Sequence, residues 1–105
     1  MPMLKALGAN IDLTVTGPLT GVTLGETPFF PGNNAILRLS SAIGGAGAIQ
    51  IQGSDALAGT YTTLQTINAA SGLDIEVFNL PAFIRLNKSV AGTGTIANAV
   101  LEGVQ

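Results

Sequence analysis

Short runs in which apolar and polar residues alternate, separated by glycine, are the feature that most constrains the fold of this chain. In residues 11–16 every second side chain is apolar. A period of two is that of a β-strand with one buried face. The 14 glycines punctuate such runs along the chain, which is typical of an all-β sandwich or barrel.

The same pattern predicts six further strands, at residues 35–40, 48–52, 61–67, 73–78, 83–90 and 95–101. We therefore expect an all-β, antiparallel β-sandwich of seven or eight short strands, either jelly-roll or immunoglobulin-like. Residues 44–47 form an expected turn, and residues 91–94 an expected hairpin loop. Residues 1–10 are assigned to an N-terminal arm or short extension, and residues 11–105 to a single β-sandwich domain.

The inward positions of these runs predict the core. A one-residue slip would turn the whole apolar set to solvent, so the pattern specifies which face is buried. The expected core residues are Ile11, Leu13, Val15, Leu37, Leu39, Ile49, Ile51, Leu64, Ile75, Val77, Ile84 and Leu86. Residues 3–9 lack the period of two and are the best helix candidate, although too short to be stable alone.

The charge content excludes some classes of function. Charged residues make up only 10% of the chain, against about 25% in an average domain. The basic residues are Lys5, Arg38, Arg85 and Lys88, too few and too scattered for the phosphate contacts that nucleic-acid binding needs. No apolar run is long enough for a membrane span, and the first residues do not resemble a signal peptide. We expect no nucleic-acid and no membrane partner.

Catalytic chemistry has few residues to work with, since the chain contains no His and no Cys. It therefore lacks the commonest general base, thiol nucleophiles and the usual zinc ligands. Lys88 and Ser89 are neighbours in a predicted strand, so their side chains point to opposite faces. We expect no enzymatic activity, no cofactor and no metal.

Two pairs of charged residues leave alternatives open. Asp74 and Glu76 share one face of a predicted strand. They have the residue types for a Ca²⁺ site or a glycosidase pair, but a solvated strand face is the interpretation we favour. Arg38 and Arg85 lie within apolar strands. Each is either on the solvated face or in an interface ion pair with a carboxylate such as Asp74 or Glu76.

Three segments carry a family resemblance: residues 48–55 (AIQIQGSD), 61–64 (YTTL) and 79–86 (NLPAFIRL). They resemble the small β-sandwich proteins encoded beside the capsid genes of tailed bacteriophages, the capsid decoration or cement proteins. The resemblance covers about residues 35–105. It implies a protein made in the host cytoplasm that clamps major capsid subunits on the virion exterior, as a homo-oligomer and as a trimer in preference to a dimer. It implies no catalytic residues.

The same general pattern, a strand, a Gly-Ser-Asp turn, a strand, Leu-Pro and a Phe-Ile-Arg strand, also occurs in carbohydrate-binding and tail-associated sandwiches. One alternative is therefore a phage tail or fibre-associated module that binds host-surface glycan, although the chain has one Tyr and no Trp for stacking on sugars. Another alternative is a subunit of a non-viral β assembly.

The candidate partner-binding residues come from two segments. Residues 1–9 include Leu4 and Leu7, which are apolar yet fit no predicted strand. The predicted loop 26–34 carries Phe29 and Phe30 between two prolines, which limit the entropy lost when a loop is fixed on a partner. Either one phenylalanine closes the core and frees the other as an anchor, or both close the sandwich and the N-terminus is frayed. The faces that carry the two arginines are the next candidates.

Overall fold

The computed structural model describes residues 3–104, and their regular structure is almost entirely β. It consists of nine strands and one 3₁₀ turn, Ala69–Ser71, which lies between the sixth and seventh strands. The strands are β1 (Leu4–Asp12), β2 (Gly17–Pro18), β3 (Val22–Thr23), β4 (Asn33–Leu39), β5 (Ala48–Ser54), β6 (Thr62–Asn68), β7 (Asp74–Leu80), β8 (Phe83–Val90) and β9 (Thr95–Val104). The predicted all-β class is confirmed.

The strands form two antiparallel sheets. The first sheet has the order β1-β9-β4-β7, and the second has β2-β8-β5-β6 with β3 also paired to β8. The pairs are nested along the chain: β1 with β9, β2 and β3 with β8, β4 with β7, and β5 with β6. This is the strand order of a jelly roll, one of the two predicted arrangements. Because β2 and β3 follow one another along β8, they fill one strand position.

One apolar core lies between the sheets. Alternate side chains of each strand point inward, as the period of two predicts. Ile49, Ile51, Ile84 and Leu86 on the second sheet are fully buried, as is Leu37 on the first. The predicted core residues are all buried except Val15 and Leu64, which are 55% and 39% exposed.

Val15 is exposed because the chain turns before it. The carboxylate of Asp12 accepts hydrogen bonds from the Thr14 hydroxyl and backbone N–H, at 2.7 and 2.9 Å. Such a local turn competes with continuation of the strand. These two hydrogen bonds also hold the pKa of Asp12 below its ordinary value, and the bond from the Thr14 hydroxyl contributes more than the bond from its backbone N–H. The predicted strand 11–16 is therefore wrong beyond Asp12.

The predicted N-terminal arm is also wrong from Leu4 onward, since β1 pairs along β9 from Leu4 to Asp12. The strand escaped the pattern analysis because its alternation is broken twice. A β-bulge interrupts the register between Ala6 and Gly8, and Asn10 has a φ of 50°. Leu7 lies at the bulge and points into the core, where it is 4% exposed.

The loops 44–47 and 91–94 do not close hairpins within a sheet, because each connects a strand of one sheet to a strand of the other. The predicted hairpin at 91–94 is therefore wrong. The two loops pack against each other through the bridge between Gly44 and Thr93. A Cβ atom on Gly92 would collide with the backbone of Gly44, and a Cβ atom on Gly47 would lie 2.8 Å from the Cα of Gly92. Glycine is required here by the close approach of the backbones.

The two adjacent phenylalanines have opposite environments, so they form a matched test of the core. Phe29 is fully buried and Phe30 is 50% exposed. We expect Phe29→Ala to lower the free energy of unfolding by about 3–5 kcal/mol and Phe30→Ala to change it by less than about 0.5 kcal/mol. Chemical denaturation monitored by circular dichroism measures both. Equal losses would contradict this assignment of the core.

Candidate protein-docking face

The outer face of the first sheet brings together residues from both ends of the chain. Strand register places Leu4, Glu102, Ile36 and Glu76 in one row across the four strands. The adjacent row contains Ala6, Val100, Arg38 and Asp74. Directly opposed residues of paired strands have their side chains on the same face, so these rows form one continuous surface.

An ion-pair network lies in the middle of this surface. The Nε of Arg38 donates a 2.6 Å hydrogen bond to Oε2 of Glu102, and its Nη1 lies 3.0 Å from Oδ1 of Asp74. The hydrogen bond to Glu102 and the charges of Glu102 and Asp74 raise the pKa of Arg38. These pairs add little stability because Arg38 is exposed, but they hold its guanidinium between Glu102 and Asp74.

Apolar side chains surround the network. Leu4, Phe78 and Val104 are 59%, 57% and 42% exposed, although each belongs to a strand. Ile36 and Val100 are half-buried between them. We call these five residues the apolar face. Large apolar side chains that cluster on one exposed surface indicate an interaction site.

Two depressions shape the apolar face. One, of about 180 Å³, is lined by Asn34, Ala35, Ile36, Glu76, Phe78 and Val104. The other is shallower, has a volume of about 320 Å³ and is lined by Leu4, Arg38, Leu39, Ser40, Asn98, Val100 and Glu102. Small-molecule sites are typically enclosed pockets of roughly 300–1,000 Å³. The first depression is smaller than this and the second is open to solvent, so neither is of that kind.

Phe30 is exposed in a turn at one end of the first sheet. It lies in the turn before β4, where the N–H of Asn33 donates to its carbonyl at 3.0 Å. The N–H of Gly32 donates to the carbonyl of Leu80, which fixes the turn beside the end of β7. Val104 pairs with Asn34 at the same end of the sheet. Phe30 is thus an exposed aromatic side chain on a turn anchored to the sheet.

The structure separates the six residues that the sequence singled out for partner contact. Leu4, Phe30 and Arg38 belong to the first sheet and its rim, as just described. Leu7 and Phe29 are buried in the core and are unavailable to a partner, so their selection is wrong. Arg85 lies on the outer face of the second sheet, away from the other candidates.

Arg85 is part of a polar ladder of side chains. Its Nε donates to Oε1 of Gln52 at 2.9 Å, and its guanidinium carbon lies 4.1 Å from the centroid of the Tyr61 ring. The Nε2 of Gln52 donates to Oε1 of Gln50, which also accepts from Nδ2 of Asn87 at 2.9 Å. This face is polar and largely satisfied within the chain, unlike the apolar face.

The carboxylates of β7 occupy the shared face that the sequence predicted. Asp74 and Glu76 are both exposed, and Asp74 is engaged by Arg38. Sequence analysis missed Phe78, although it has the same strand parity as these two residues and therefore faces outward. It also missed Val104, whose position beside Phe78 depends on the pairing of β9 with β4.

Across residues 3–104 there is no group of three or more Asp or Glu side chains arranged to hold a metal ion. The same residues include no helix of the length and apolar character needed to cross a membrane.

Comparison with known proteins finds no relative of this chain. No protein-family profile, no curated protein and no solved structure matches the chain.

We expect the same conservative substitution to change the free energy of unfolding by different amounts at the two arginines. Arg85→Lys removes the Nε donor from Gln52, which is only 8% exposed, so we expect a loss of about 1–2 kcal/mol in the free energy of unfolding. Arg38→Lys is the matched control and should cost less, because Arg38 is itself exposed and exposed ion pairs add little stability. Urea denaturation of both variants checks this. A larger loss for Arg38→Lys would reverse our assignment of the two faces.

Proposed function

We propose that this chain is a virion structural protein that decorates the outside of a tailed-phage capsid and bridges major capsid subunits. The observation that carries the proposal is the apolar face, together with the exposed Phe30 at one end of the same sheet. A surface on which Leu4, Phe78, Val104 and Phe30 are exposed favours burial against another protein. The resemblance to capsid decoration proteins supplies the identity of that partner.

Two further properties support a role in assembly. Jelly rolls are a common architecture of viral capsid domains. The chain also has few charges, with a net charge of -2 and 10% charged residues. Charged residues are depleted in the cores of protein interfaces because their desolvation is costly. A weakly charged surface is therefore suited to close contact with neighbouring subunits.

The proposal includes no enzymatic role and no nucleic-acid partner. His and Cys are absent from the sequence. Of the basic side chains, Arg38 is held by two carboxylates and Arg85 by Gln52 and Tyr61. Lys88 donates from Nζ to the backbone carbonyl of Asp12 at 3.0 Å. These side chains lie on different parts of the surface and form no continuous basic patch for phosphates.

A tail or fibre-associated module that binds host glycan is the second candidate. Jelly rolls also occur in lectins, and the ladder of Gln50, Gln52, Arg85 and Asn87 has the amide and guanidinium groups that bind sugar hydroxyls. These groups already bond to one another, and Arg85 covers one face of the Tyr61 ring. The ladder therefore supports glycan binding less strongly than the apolar face supports protein binding.

Copy number separates the two candidates. A decoration protein repeats with the symmetry of the head, so quantitative mass spectrometry of purified particles of the encoding phage should find hundreds of copies per particle. A tail module would be present in a few dozen copies or fewer. That lower number, or binding of the purified chain on a glycan array, would contradict the capsid assignment.

The apolar face predicts which substitutions weaken decoration. Phe78→Ser should reduce the affinity for capsids that lack this protein by about tenfold or more, because buried aromatic anchors dominate interface energy. Leu57→Ser is the matched control, since Leu57 is 52% exposed and lies outside the apolar face. Co-sedimentation with the capsids measures both variants. Equal binding of Phe78→Ser and the parent protein would place the contact elsewhere.

We also propose that the chain is a homo-oligomer on the capsid, a trimer in preference to a dimer. The edge strand β6 supports self-association, because its outer side is unpaired in the sheet and it contains no charged residue. Such edges readily pair with other strands. Native mass spectrometry and particle reconstruction test the stoichiometry, and isolated monomers on the particle would contradict it.

A further inference from the structure

The smaller depression of the apolar face has a composition that selects one type of side chain. Ile36, Phe78 and Val104 form apolar walls, and Ala35, Glu76 and Asn34 complete the lining. Its volume of about 180 Å³ is below that of typical small-molecule sites, which are roughly 300–1,000 Å³. It therefore suits a single long side chain from a protein partner.

Glu76 gives this depression a negative charge that the chain does not neutralise. Within residues 3–104 the ion pairs join Arg38 to Asp74 and Glu102, and none involves Glu76. Glu76 pairs in register with Ile36, beside the network. The outer face of this sheet therefore carries the carboxylates of Glu76, Asp74 and Glu102 but only the guanidinium of Arg38, which leaves it with an excess of negative charge.

We propose that the depression is a docking site for an arginine side chain of the partner protein. The aliphatic part of arginine packs against apolar walls while its head group remains polar. Its planar guanidinium binds a carboxylate through paired hydrogen bonds and stacks on aromatic rings. Phe78 and Glu76 supply these two groups on one strand, two residues apart. This inference rests on the proposed function, since it specifies the chemistry of the capsid partner at the same face.

The occupant comes from another protein and not from a second copy of this chain. Arg38, Arg85 and Lys88 are engaged by contacts within the chain. Lys5 is half-buried on β1, in register with the inward-facing Leu101. The chain therefore offers no exposed arginine free to enter the depression of a neighbouring copy.

A peptide titration tests the site without a capsid. The probe is the capped tripeptide acetyl-Leu-Arg-Val-amide, and its control replaces arginine by citrulline, which has the same shape and no charge. We expect the arginine peptide to shift the backbone amide signals of Ile36, Phe78 and Val104 in ¹⁵N NMR spectra, with millimolar affinity. The citrulline peptide should bind about fivefold more weakly, the ratio of an exposed ion pair.

Two variants locate the effect. Glu76→Gln should abolish the preference for arginine over citrulline, whereas the matched control Glu26→Gln, in the loop before β4, should retain it. Equal binding of the two peptides to the parent protein, or no shifts at these residues, would overturn the site. Because no capsid is present, that failure is distinct from failure of the proposed function, which the copy number on particles decides.

Discussion

Pairing between the first and last long strands is the interaction on which the rest of this structure depends. β9 lies between β1 and β4, so the first sheet is continuous only when the two ends of the chain have come together. Ile11 pairs with Ile96, and both are buried in the core. The same pairing places Leu4 beside Glu102 and thereby creates the outer face that we assign to docking. Core formation and construction of the candidate site are therefore one event, since the inward and outward side chains belong to the same strands.

The fold could be predicted from sequence wherever the period of two is unbroken, as in β4, β5, β7 and β8. The prediction from sequence failed where irregularities of the backbone shift the alternation of inward and outward side chains. In β1 the apolar residues Leu4, Leu7 and Ile11 are spaced by three and four, as on a helix, and a bulge and the left-handed Asn10 interrupt the strand between Ala6 and Ile11. A pattern analysis assumes regular backbone geometry and has no means of anticipating such positions. The nested strand order was equally inaccessible, because it depends on contacts between distant segments.

The candidate site was predicted in part. Adjacent apolar residues in a proline-flanked loop indicated an anchor, and the structure leaves Phe30 exposed while Phe29 enters the core. Phe78 was missed because an apolar residue within a strand is ordinarily assigned to the core. Val104 was missed because it lies beyond the predicted strand 95–101, and its position depends on the pairing of β9 with β4. The alternation along β7 could have identified Phe78 as outward-facing, because it lies on the same face of the strand as Asp74 and Glu76. The two sheets thus differ in a way that composition conceals: one outer face is apolar around an ion-pair network, and the other is a polar ladder closed by hydrogen bonds within the chain.

The central claim is that the outer face of the β1-β9-β4-β7 sheet is the surface that meets the capsid. A cryo-electron-microscopy reconstruction of the particle with this chain bound tests it most directly. The account predicts that Leu4, Phe78 and Val104 lie within about 4.5 Å of a major capsid subunit, the range of apolar contact, and that the ladder of Arg85 and Gln52 faces away from it. A reconstruction in which the polar ladder contacts the capsid and the apolar face is open to solvent would contradict the account.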